Sequence, residues 1–248
     1  MSEVKNRIPH IYIGSCVEEK RNILISKLEK LGITDYTVVL TEKNKKGRYG
    51  CWMCHKSMAR KALEDSREVY ITLEEASIPT EKFSFDILLD CKNILLSKKI
   101  DLIMLSRYHT NPFNYKQKRI SKYVWENAPG RLENAQAMMM TSNFARYVLD
   151  QNPKFYYPID QYLSRDFYPY DKHIANDGYT KYFCYPTCFA RNVEFKSLTT
   201  PVSNINFIEK IGRKKKIYEK MDVLQHNGRV FFIAVYLLII CVVFFVFF

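Results

Sequence analysis

The sequence predicts an α/β domain built on a mostly parallel sheet flanked by helices, followed by one C-terminal transmembrane helix. Two observations predict the domain: short β-branched or aromatic runs alternate with helical stretches, and the runs end in small or charged residues. A third predicts the anchor: residues 230–248 read VFFIAVYLLIICVVFFVFF, with no charge, Gly or Pro. At about 1.5 Å rise per residue that run covers roughly 28 Å, close to the hydrocarbon thickness of a bilayer.

The first strand is Ile11-Tyr12-Ile13, leading through Gly14-Ser15 into a helix that runs to Leu31. Val17, Leu24, Leu28 and Leu31 share a face of that helix, and Gly32 stops it. Thr37-Val38-Val39-Leu40 reads as the second strand. A polar loop (41–50) separates it from a helix over 51–63, with Met58, Ala59, Ala62 and Leu63 inward. Val69-Tyr70-Ile71-Thr72-Leu73 is the third strand and ends in Glu74-Glu75. A helix over 85–97 follows, with Phe85, Leu88, Leu89, Leu95 and Leu96 as its apolar set, then a fourth strand over 101–105. A short helix at 142–150 has Thr141 or Ser142 as its cap. Residues 155–195, rich in Tyr, Phe and Pro, read as packed loops. Strands alternating with helices imply a sheet covered on both faces, and such sheets bind ligands at the carboxyl ends of their strands. That rule points to Gly14, Glu74-Glu75 and Ser106-Arg107.

Three segments follow from this reading: a globular domain over 1–200, a basic juxtamembrane linker over 201–229 and the anchor over 230–248. The linker carries Arg213, Lys214, Lys215, Lys216, Lys220 and Arg229 against Glu219 and Asp222, and positive residues beside a span stay on the cytoplasmic side. The first residues lack the apolar core of a signal peptide, so a tail-anchored protein with its domain on the cytoplasmic face is expected. A net charge of +12 favours anionic partners, part of it serving acidic lipid near the anchor. The seven cysteines are then expected as reduced thiols.

Several stretches together resemble glycosyltransferase family 25, the lipooligosaccharide and procollagen galactosyltransferase-like group with a GT-A type fold. The likeness spans roughly residues 9–195 and rests on order and spacing. Its best stretch is Gly50-Cys51-Trp52-Met53-Cys54-His55 followed by Ala59 and Ala62-Leu63, similar to the family's Gly-Cys, two residues, Ser-His and helix, with Cys54 in place of serine. Leu31-Gly32-Ile33 matches the family's Leu-Gly-Ile, and Arg21 falls at its arginine, although the preceding Asn-Leu is missing. Leu73-Glu74-Glu75 stands where the family has Glu-Asp-Asp. The stretch 135–149, Pro158-Ile159-Asp160 and Tyr185-Pro186 resemble the acceptor-side strand and helix, the Pro-Val-Asp and the late Tyr-Pro.

The resemblance implies transfer of a hexose, galactose or glucose first, from a nucleotide sugar to a glycan, protein or lipid acceptor. It implies Mn²⁺ or Mg²⁺ held by Glu74 and Glu75, since hard cations take oxygen ligands and neutralise the departing diphosphate. Arg21, Cys54, His55 and Arg107 are the donor-binding set it implies, with Asp160 and His55 as the catalytic pair and Asp160 as the residue that orients the acceptor hydroxyl or acts as its base. Three departures (the lost Asn-Leu, Cys54 and Leu73-Glu74-Glu75) fall at the donor site and leave a catalytically degenerate membrane scaffold as the alternative. Two rival constellations are weaker. Cys51-x₂-Cys54 with Cys184-x₃-Cys188, His55 spare, would make a zinc site from distant parts of the chain. Residues 107–125 interleave basic and aromatic side chains as single-strand nucleic-acid binders do, but also suit a solvated loop over an active site.

Overall fold

The structure, a computed structural model, describes residues 8–43, 47–98, 100–106, 118–126, 135–151, 159 and 181–192. Two candidate site residues, Arg107 and Asp160, lie outside the described residues, as do the linker and the hydrophobic tail. Among the described residues no helix is long and apolar enough to cross a membrane.

Ten strands and four helices are described: β1 (His10–Ser15), α1 (Glu18–Lys30), β2 (Tyr36–Leu40), α2 (Gly47–Glu64), β3 (Val69–Glu74), β4 (Ser77–Pro79), α3 (Phe85–Lys98), β5 (Leu102–Met104), β6 (Lys118–Arg119), β7 (Val124–Glu126), β8 (Ala137–Thr141), α4 (Ser142–Asp150), β9 (Lys181–Cys184) and β10 (Phe189–Arg191). Eight strands form one sheet in the order β2-β1-β3-β8-β5-β9-β7-β6, and β10 pairs with β4 in a small second sheet. The β2-β1-β3 part and the β5-β9 pair are parallel, whereas β8 runs antiparallel to both β3 and β5, and β7 antiparallel to β9 and β6. Most strands therefore run one way, in a mixed α/β architecture consistent with a GT-A-like fold.

The two layers of helix follow from strand periodicity and handedness. Alternate strand residues face opposite sides of the sheet. Ile11, Ile13, Ile71, Leu73, Ile103 and Met139 pack with Leu24 and Leu28 of α1 and Ile87, Leu88, Cys91, Ile94 and Leu95 of α3. Tyr12, Tyr70, Leu102, Met104, Met138 and Met140 face the other way, against Trp52, Met58, Ala59 and Ala62 of α2 and Phe144, Ala145 and Val148 of α4. The chain moves from β1 outward to β2 through α1, then back across β1 to β3 through α2. Right-handed crossovers in opposite directions place their helices on opposite faces.

Some boundaries and faces differ from the sequence reading. The helix expected from residue 51 begins at Gly47, inside the stretch read as loop. The buried face of α3 is Ile87, Leu88, Cys91, Ile94 and Leu95, while Leu96 is 45% exposed, because a helix over 85–98 presents only one stripe to the sheet. Residues 181–184 and 189–191, placed among loops, form strands whose partners β5 and β4 lie far away in sequence. Thr141 caps α4 as expected, its side chain accepting from the Phe144 N–H at 3.3 Å. The two cysteine pairs of the rival zinc arrangement sit in opposite layers: Cys184 packs in the α1/α3 layer and Cys51 and Cys54 against the α2/α4 layer.

Gly14, the fifth residue of β1, must be glycine because α2 crosses directly over it. A Cβ there would lie 2.2 Å from Cys54 Sγ and 3.0 Å from the end of Met58. Gly14→Ala should therefore lower stability by about 1–3 kcal/mol, the usual cost of overpacking a filled interior. Cys54→Ala in the same chain should recover most of that loss in a urea titration, because it removes the nearest atom.

Candidate functional site

The outward crossover to β2 and the return to β3 place the topological switch point between the carboxyl ends of β1 and β3, the position at which open α/β sheets bind ligands. The first half of α2 reaches the same end, since it follows β2. Gly14 to Val17, Glu74, Glu75, Cys51, Cys54 and His55 meet there.

Glu74 and Glu75 are consecutive, so the strand's alternation turns them to opposite faces. Glu75 points toward α1. Its Oε2 accepts from Ser15 Oγ at 2.8 Å and from the N–H groups of Cys16 at 2.6 Å and Val17 at 2.7 Å. The backbone N–H of Glu75 in turn donates to Gly14 O at 3.1 Å. Val17, the residue preceding α1, has no side-chain cap of its own. The Glu75 carboxylate, just past β3, takes the N–H groups of Cys16 and Val17 that lead into the helix, and sits at the positive end of α1.

Glu74 points toward α2. Its Oε1 lies 3.2 Å from His55 Nε2 and accepts from the Cys51 thiol at 3.1 Å. The three ligand atoms of Cys51, His55 and Glu74 lie within 4.8 Å of one another. His55 is 1% exposed and its Nδ1 has no hydrogen-bond partner among the described residues, whereas the Glu74 side chain is 27% exposed. Burial alone would raise the Glu74 pKa. The hydrogen bond and charge of His55 outweigh it, with help from the Cys51 thiol and the Arg191 charge, and hold the carboxyl below its ordinary range.

Cys54 packs on the backbone of Gly14, and burial with the nearby Glu74 charge pushes its thiol up to about 12 against a hydrogen bond to Thr41. It is a protonated thiol at neutral pH and no nucleophile. Cys16 is likewise raised, by burial and then by Glu75. Arg21 pairs with Glu18 at 3.2 Å on α1 and joins no contact of the cluster.

Of the residues chosen from sequence, the structure thus brings Cys54, His55, Glu74 and Glu75 to one end of the sheet and leaves Arg21 on the α1 surface. The expected paired-carboxylate site for a hard cation does not fit this arrangement: Glu74 alone faces the cluster, because Glu75 is committed to the β1–α1 turn. Sequence reasoning named Cys51 only within the rival four-cysteine zinc arrangement, with His55 spare, and missed its meeting with Glu74, although a Cys and a His four residues apart on a helix share a face. It also missed Arg191, for which no local signal existed.

No family model matches the chain, and no curated protein sequence matches it. Solved structures similar to it include A197 from STIV, with 13% identity, a TM-score of 0.43, and coverage of 71% of this chain and 81% of that one. A glycosyltransferase involved in the glycosylation of the major capsid of PBCV-1 has 11% identity and a TM-score of 0.44, over 77% and 95% of the two chains. An apo UDP-glucose pyrophosphorylase has 11% identity and a TM-score of 0.39, over 85% and 70%.

Two outcomes follow from the carboxylates. The Glu74 pKa is lower folded than unfolded, so its stabilising contribution is complete above the ordinary value of 4.5 and is lost as pH falls through the lower folded value. In the metal-free protein, Glu74→Gln should flatten the acid limb of a melting-temperature profile below that pH while leaving its shape unchanged near neutrality. Glu75→Ala should cost about 2 kcal/mol in a denaturant titration, because it strips the acceptor from two backbone N–H groups and a buried hydroxyl, and Glu75→Gln about half that.

Proposed function

We propose that the chain is a membrane-anchored glycosyltransferase that moves a hexose, galactose or glucose, from a nucleotide sugar to an acceptor hydroxyl with a divalent metal. The observation that carries this reading is the meeting of the β1–α1 turn, the acidic end of β3 and the first half of α2 at the switch point of the sheet. The resemblance of the Gly50–His55 and Leu73–Glu75 stretches to family 25 supports it, and those two stretches are the ones that meet.

In this proposal the nucleotide sugar lies over the carboxyl ends of β1 and β3. Glu74 is the carboxylate toward the metal, His55 holds Glu74 in place, and Glu75 fixes the turn beneath the donor. A divalent cation there would neutralise the diphosphate as it leaves. Arg107 on the donor side and Asp160 as acceptor base complete the proposed set. The juxtamembrane basic linker and the apolar tail over 230–248 hold the domain at the cytoplasmic face of a membrane.

A second reading has a specific observation behind it. The Glu75 carboxylate already occupies the N–H groups of the β1–α1 turn, and the paired acids are split between two faces. A catalytically degenerate scaffold would carry both features without penalty.

A thermal-shift series on the full-length chain in detergent, with nucleotide sugars and with or without divalent metal, separates the two. The transferase reading expects one donor to raise the melting temperature only with metal, by mass action on the folded state. It further expects transfer by that donor to drop at least about 100-fold in Glu74→Ala, the scale of a displaced reactive group. A well-folded chain that responds to no donor would sink the transferase reading in favour of the scaffold.

A further inference from the structure

We propose that Cys51, His55 and Glu74 form a binding site for a transition-metal dication of the zinc type, with its fourth coordination position open. The inference stands on these three side chains and does not depend on the transferase reading.

The local geometry comes from two elements. Cys51 and His55 are one helical turn apart on α2 and therefore project from the same face, as pairs of metal-binding residues on a helix do. Glu74 is the last residue of β3 and is turned toward that face by the strand's alternation. Its Oε1 lies 3.1 Å from Cys51 Sγ and 3.2 Å from His55 Nε2. Four-coordinate zinc has bonds near 2.0–2.3 Å, so its ligand atoms stand about 3.3–3.7 Å apart. The two distances to Glu74 need to lengthen by only a few tenths of an ångström to admit the ion, and the ligand atoms of Cys51 and His55, within 4.8 Å of each other, settle to the same spacing.

The chemistry of the donors selects the metal. One sulfur, one imidazole nitrogen and one carboxylate oxygen form a set of borderline softness, suited to zinc, whereas magnesium and calcium take oxygen alone. A dication with a thiolate and a carboxylate is also electrically balanced. On binding, the Cys51 thiol gives its proton to solvent, and metal bonds replace the two hydrogen bonds that now end on Glu74.

Burial then decides the kind of site. His55 is locked inside, while Cys51 and Glu74 are only partly buried, so a water or an oxygen ligand can approach from outside. Three protein ligands and one open position distinguish reactive zinc sites from closed structural ones. Cys54 does not close the shell, since its Sγ packs over the backbone of Gly14 and stands outside the group of three. The other buried cysteines, Cys91, Cys184 and Cys188, lie in the opposite layer.

The test uses the full-length chain in detergent, stripped of metal and titrated with Co²⁺ and then Zn²⁺. One equivalent of Co²⁺ should give a thiolate-to-cobalt charge-transfer band and the strong visible bands of a four-coordinate ion, and Zn²⁺ should displace both. Cys51→Ser should lose the charge-transfer band while Cys54→Ser keeps it. His55→Ala and Glu74→Gln should each weaken zinc binding about tenfold or more. Cys51→His, which keeps three ligands, should still bind zinc without the thiolate band, so a folding defect in one variant does not decide the matter. A folded wild-type chain without the band, or a band that survives Cys51→Ser, would overturn the site. Zinc binding without any response to nucleotide sugars would support this site and remove the transferase reading. Donor-dependent transfer by a chain that gives no thiolate band would overturn the site and leave the transferase reading in place.

Discussion

The end of the sheet depends on one carboxylate, that of Glu75, spanning from β3 to the turn between β1 and α1. Its Oε2 takes a hydroxyl and two consecutive backbone N–H groups, at 2.6–2.8 Å. Bonds to an ionised acceptor are about twice as strong as neutral ones, and here three of them end on one oxygen. The turn that opens α1 is thereby fixed to the strand that carries Glu74. The Glu75 N–H closes the loop by donating back to Gly14 O. Without this tie, β1 and β3 would still pair along their length, and the turn would keep only its bonds to Thr41 on the β2 side, at Ser15 O, among those described.

The close approach of α2 is the second constraint and acts on the same spot from the other face. Gly14 lets Cys54 and Met58 sit directly on the backbone of β1, and this brings the helix near enough for Cys51 and His55 to reach Glu74. The two faces of the sheet therefore use the two glutamates differently. Glu75 holds the α1 side together, and Glu74 joins Cys51 and His55 on the α2 side.

Much of this was legible in the sequence, where the local signal was strong. The runs 11–13 and 69–73 became β1 and β3, buried on both faces as a covered sheet requires, and 37–40 became β2, the half-exposed edge strand. The switch-point rule pointed to Gly14 and Glu74-Glu75, which the structure places together at one end of the sheet. What was not legible depended on distant partners. β9 is a strand because Leu102 to Met104 offers it an edge, and β10 because Ser77 to Pro79 does, neither of which a window of aromatic and proline residues reveals. The contribution of Arg191 to Glu74 is of the same kind.

The adjacency of Glu74 and Glu75 misled for a reason that the strand itself supplies. Two carboxylates side by side in a sequence look like a chelating pair, yet at the end of a strand neighbouring side chains diverge to opposite faces. A pair able to share one ion from a strand must be two residues apart, or must come from different elements. Cys51, four residues before His55 on a helix, meets the second condition with Glu74. The same alternation that separates the glutamates thus selects which of them joins the helix. It is also why Glu74 meets a thiol and an imidazole on the α2 side instead of a second carboxylate.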